Sequence, residues 1–174
     1  MKVKVFYGAI FVFLFTLSSV TYGQRANADD VDNIDGIITA MYDVISGPAG
    51  ERDWQRFGNL FKDGVSMAAI TQTEDGELRY VSMTPDQYIE RNDEYFTNND
   101  FWEEEMDREV FQFGEIATVQ TSYIIKSGKD GEVTHRGVNS VQLVYDQSRW
   151  WITNITWNSE REDNPIPDEL LSDG

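Results

Sequence analysis

The 174-residue chain holds 31 acidic and 14 basic side chains, a net charge of −17 at pH 7. Such a surface repels the phosphates of nucleic acid and of anionic lipid, which excludes a nucleic-acid partner. There is no cysteine, so disulfides, thiol nucleophiles, thiolate zinc sites and iron–sulfur clusters are excluded as well, and packing alone must carry stability.

Lys2 and Lys4 precede an almost unbroken apolar run from Val5 to Val20, and Thr21-Tyr-Gly23 puts small residues at the −3 and −1 positions of a cleavage site. This is the pattern of a secretory signal peptide, and the run is shorter than the roughly 20 residues that cross a bilayer. Residues 1–23 are expected to be cleaved on export to the periplasm or the exterior, leaving no membrane attachment. The polar residues 24–32 predict a flexible arm.

Residues 33–160 predict one domain. Ile34, Ile37, Ile38, Met41, Tyr42 and Ile45 recur at helical spacing, and Gly47-Pro48 ends that helix. A second helix is expected over about residues 51–61, with Trp54, Phe57 and Phe61 on one side. Residues 65–72 and 77–83 read as a hairpin around Asp75-Gly76. Thr84-Pro-Asp-Gln87 then starts a third helix, because Thr84 can cap it, Pro85 fits its first turn and Gln87 closes a capping box. Four long strands follow, over about residues 101–113, 115–126, 132–145 and 149–158. Residues 161–174, with Pro165 and Pro167, predict an irregular tail. Helices first and antiparallel strands after make the chain α+β. A curved antiparallel sheet packed on three helices forms a cone with an open mouth.

The last strand carries Trp150, Trp151 and Trp157. Simple alternation sends Trp150 and Ile152 to one face and Trp151 and Trp157 to the other. Aromatics on both faces predict a cavity on one side and a partner, a second copy of the chain, on the other.

The order of elements resembles the nuclear transport factor 2-like superfamily, which includes ketosteroid isomerases and SnoaL-like cyclases. The likeness is carried by Arg136-Gly-Val-Asn-Ser-Val-Gln-Leu143, Arg149-Trp-Trp-Ile152, Trp157, Glu160 and Asn164-Pro-Ile-Pro167. It implies the cone-shaped fold and pairing of two copies through the outer face of the sheet. In ketosteroid isomerases the first helix supplies a tyrosine to the oxyanion hole, and Tyr42 resembles it in position. The place of the general-base aspartate falls near Ala69. The place of the protonated aspartate, counted back from Trp157 without gaps, falls near Ser140. Both carboxyl groups are then missing, which disfavours enolisation by a carboxylate pair.

Tyr42, Trp54 and Trp157 are the expected aromatic lining of the cavity, which either binds a ligand or is simple core. His135 is the only histidine, either an acid–base group at the mouth or a surface residue at a strand end. Arg136, Ser140 and Gln142 share a strand face; turned inward, they form a polar stripe that could hold a ligand anion, and otherwise Arg136 pairs with a nearby acid such as Glu132 or Glu115. Trp150 and Ile152, with Val141 or Leu143, are the candidate dimer contact. The acids at Asp29, Asp30, Asp32 and Asp35 fail the spacing of a calcium loop and read as caps and a solvated arm. Glu103-Glu-Glu105 and Asp107 likewise read as a solvated edge. No metal and no cofactor are expected.

Three functions remain open at this point. The chain is an exported module holding a small hydrophobic ligand. Alternatively it is an isomerase, dehydratase or hydrolase on a small cyclic or carbonyl compound, which an inward carboxylate such as Asp43 or Glu115 near Tyr42 would favour. Or it is a homodimeric interaction module whose cavity is vestigial.

Overall fold

A computed structural model describes residues 27–73 and 75–171. The expected signal peptide and the first residues of the arm lie outside them. Four helices, α1 (Ala28–Val31), α2 (Ile34–Asp43), α3 (Trp54–Gly58) and α4 (Pro85–Asn98), pack on one curved sheet. Its strands are β1 (Phe61–Gln72), β2 (Leu78–Met83), β3 (Trp102–Phe113), β4 (Ile116–Lys126), β5 (Val133–Asp146) and β6 (Arg149–Ser159), in the order β2-β1-β6-β5-β4-β3. Neighbours run antiparallel except β1 and β6, which are parallel. Among the described residues no helix is long and apolar enough to cross a membrane.

The local signals act as their chemistry requires. Asn33 caps α2 through Gly36 N, and Thr84 and Gln87 close the capping box of α4. The apolar face of α2 buries Ile37, Ile38 and Met41 against Leu60, Val119, Val141 and Ile152. The second helix is a single short turn, and Phe61 opens β1 instead of closing that helix. Gly64 does not end the strand: it sits inside β1 with φ +81°, at a shift of register against β6 between Phe61 and Ser66.

The ends are better tied than their composition predicts. Asp30, expected in a solvated arm, is buried in α1 and takes two bonds from the Arg56 guanidinium, which also reaches Asp43. The tail folds back on the sheet. Ile166 and Leu170 are buried there, Ser122 donates to the Leu170 carbonyl, and Glu160 accepts from Ile166 N.

A bulge overturns the alternation expected for β6. Leu143 pairs with Ile152 but Gln142 pairs with Asn154, so Thr153 is an extra residue. Trp150, Ile152, Ile155 and Trp157 therefore all face the helices. Trp150 is 6% exposed and Ile152 is 0% exposed, and Val141 and Leu143 are buried beside them. The expected dimer contact is part of the core, and a homodimer loses the two residues that were to carry it.

Candidate functional site

Between the helices and the inner face of the sheet lies a cavity of about 260 Å³. Met41 and Tyr42 enter it from α2 and Ile45 from the turn after it, Tyr88 and Asn92 from α4 at a spacing of one helical turn, and Tyr123, Asn139 and Trp157 from β4, β5 and β6. One cross-strand row sets the polar end. Arg108 pairs with Thr121, Thr121 with Asn139, Asn139 with Trp157 and Trp157 with Ala69. The residue opposite Trp157 is thus Asn139, one place from Ser140, and that single step turns the side chain to the other face.

Among the described residues the one carboxyl group lining the cavity belongs to Glu103. Backbone stitching fixes its direction. Gly47 and Phe101 exchange both backbone bonds, at 2.7 and 3.0 Å, while Ser46 Oγ donates to the Glu103 carbonyl at 2.8 Å and accepts from Glu103 N at 3.0 Å. The loop after α2 thereby anchors the start of β3, and alternation does the rest. Glu104 points away to Lys126, and Glu103 points in. The residue is half-buried, and burial among protein atoms pushes its carboxyl up to about 7 against a weaker opposing effect of the Asn139 amide. None of the ion pairs among the described residues includes it.

Beside Glu103 runs a directed chain of hydrogen bonds. Thr121 Oγ1 donates its proton to Glu105 at 2.6 Å, so at its 3.0 Å contact with the Tyr42 hydroxyl it can only accept. Tyr42 therefore donates to Thr121 and accepts from Asn139 Nδ2 at 3.0 Å. Arg108 binds Glu105 and reaches Asp35 at 3.1 Å, which holds the far end of the chain. Burial raises the Tyr42 phenol above its ordinary value, and it pushes the Tyr123 phenol up to about 12, with the Glu103 charge adding to both. Gly137 is required under Tyr123, because a Cβ there would stand 2.4 Å from its hydroxyl.

Of the residues expected at the site, Tyr42 and Trp157 line the cavity. Trp54 does not: its ring stacks on Phe96 and its Nε1 donates to Asp93 at 2.5 Å, joining α3 to α4. The stripe of Arg136, Ser140 and Gln142 lies on the outer face, opposite Asn139 and Val141. Arg136 is held by Glu160 in a two-pronged pair at 2.6 and 2.8 Å, Ser140 takes a bond from Gln120, and Gln142 takes one from Thr118. His135 is exposed beside Thr134 at the start of β5. Asp43 is turned outward to Arg56, and Glu115 is exposed at the β3–β4 turn. The carboxylate that sequence reading missed had one signal. Three successive glutamates in a strand cannot all face solvent on a sheet with one covered face. Among the described residues no group of three or more acidic or histidine side chains is placed to hold a metal ion.

No protein-family model matches the chain, and no curated protein is similar to it in sequence. Solved structures share its fold. A candidate dehydratase of the NTF2-like (nuclear transport factor 2-like) family from Streptomyces avermitilis is 15% identical with a TM-score of 0.55, over 76% of this chain and 96% of the other. The beta subunit of a candidate aromatic-ring-hydroxylating dioxygenase from Novosphingobium aromaticivorans is 14% identical with a TM-score of 0.56, over 80% and 93%. A protein of unknown function with a cystatin-like fold from Nostoc punctiforme is 7% identical with a TM-score of 0.57, over 74% and 90%. The chain has the nuclear transport factor 2-like fold, and at these identities the likeness concerns the fold alone.

Proposed function

We propose that the protein binds a small, largely apolar molecule in the cavity beneath α2 and α4. The observation that carries this reading is the make-up of the cavity itself. Aromatic and aliphatic walls close round a few convergent polar groups, Glu103, Tyr42 and Asn139, which is the usual composition of a ligand site. Its volume of about 260 Å³ suits a molecule of one or two rings. Native mass spectrometry of the gently purified chain tests the reading. A bound mass that disappears when Trp157 is replaced by a smaller residue supports it, and a chain that takes up no compound from a library of small apolar molecules sinks it. The same measurement reports whether the apolar run ahead of Gln24 has been removed, as export requires.

A second reading, acid–base catalysis, is favoured by one observation. A carboxyl group pushed up to about 7 can both give and take a proton at neutral pH. Incubating the bound molecule in deuterated water separates the two readings. Exchange of carbon-bound hydrogen in the wild-type protein and not in Glu103→Gln supports catalysis; a molecule recovered without deuterium from both leaves binding alone.

A further inference from the structure

We propose that the ligand is a protonated monoamine with an apolar body, its ammonium group set against the Glu103 carboxylate and its body held among the aromatic walls. This rests on the cavity being a ligand site, as proposed above, and goes on to name the chemical class.

The cavity offers acceptors and π faces, and its donors are neutral hydroxyls and amides, those of Tyr88, Tyr123, Asn92 and Asn139. Among the described residues no arginine, lysine or histidine lines it, and none of them pairs with Glu103. The Tyr42 proton is committed to Thr121, because Thr121 spends its own on Glu105. Asn92 turns its amide nitrogen to the Tyr88 carbonyl at 2.7 Å, which leaves its side-chain oxygen for the cavity. Asn139 spends one amide hydrogen on Tyr42. A carboxylate or phosphate ligand would find a like charge here and no cation to hold it. An ammonium group finds a carboxylate, amide oxygen and the rings of Tyr88 and Trp157. Tyr88 and Trp157 meet edge to face at 6.4 Å, so their rings present two differently oriented walls to one guest. The net charge of −17 draws cations toward the mouth from a distance.

The charge balance makes a second, independent readout. The titratable groups that face Glu103 are Tyr42 on α2, Tyr88 on α4 and Tyr123 on β4, all held protonated by burial, so none competes near neutrality. Below pH 7 the empty site carries Glu103 largely as the neutral acid. An arriving ammonium favours the carboxylate and drives that proton into solution.

Titration calorimetry on the full chain at pH 6, in two buffers of different ionisation heat, tests this with benzylamine and its neutral isostere benzyl alcohol. The expected result is that benzylamine binds at least about tenfold tighter and releases a proton, the preference a charge-assisted bond gives over a neutral one. In Glu103→Gln the preference and the proton release are both lost while benzyl alcohol still binds. Benzyl alcohol binding as tightly as the amine to the wild-type protein overturns the amine assignment and leaves the cavity a ligand site. Binding of neither probe overturns the amine assignment, and the ligand-site reading falls separately if the library screen is empty as well.

Discussion

Glu103 differs from the other acids of the chain only in where its side chain points. Glu104 and Glu105 have the same chemistry, but Glu104 meets Lys126 and Glu105 meets Arg108, so neither charge stands alone. Glu103 meets a cavity. Folding therefore favours its neutral form, and the sign of the pH effect follows. Its contribution to stability is fully present below its ordinary 4.5 and is lost as pH rises through about 7. Relative to Glu103→Gln, the wild-type protein is expected to lose up to about 3 kcal/mol over that window, less to the extent that water enters the cavity. Urea unfolding of both proteins from pH 4.5 to 8 measures it. Parallel stability curves would show that Glu103 titrates as an exposed acid and would remove it from the site.

At the scale of elements, β6 decides the molecule. Its bulge at Thr153 brings Trp150, Ile152, Ile155 and Trp157 to one face, where regular alternation would split them. Deleting Thr153 restores regular pairing with β5 and cannot keep both halves of β6 facing the helices. The deletion is expected to destabilise the domain by more than about 3 kcal/mol, the cost of turning large apolar side chains out of a core. Chemical denaturation and the near-ultraviolet signal of the tryptophans report it, and an unchanged spectrum and midpoint would mean that the bulge is incidental. The same element explains what was legible. Every strand and the three main helices could be read from periodicity, capping residues and turn dipeptides, because those signals are local. The inserted residue leaves no local mark.

For the whole molecule, the consequence is where a partner could and could not sit. Beside the family resemblance, Trp150 is the residue that points to a second copy on the outer face, but it is buried in the core, its ring 5.5 Å from that of the exposed Tyr145. Trp150→Glu should unfold the protein, at about 3–5 kcal/mol, for a lost aromatic and a buried charge together. Trp151→Glu, on the half-buried outer side, is expected to be milder. Sedimentation and urea titration of the two variants distinguish the cases; a folded, monomeric Trp150→Glu would restore the interface. The described surface also exposes Phe111, Phe113 and Ile116 at the turn end of the β3–β4 hairpin, with Phe113 85% exposed.

Composition and local periodicity suffice for the α+β class, the order of elements, the acidic surface and two walls of the cavity, Tyr42 and Trp157. These rest on composition and on periods of two and 3.6 residues, which any stretch of chain displays without its partners. The folded sheet is needed to see that Asn139 and not Ser140 faces Tyr42, that Glu103 brings a carboxyl group to the cavity, and that Arg136 belongs to Glu160 on the outer side. Each depends on register. Register is set by long-range pairing, by the stitching of Ser46 and Gly47 to the start of β3, and by one extra residue in β6. A shift of one residue reverses every side chain after it, so a site built across strands appears only when the sheet is closed.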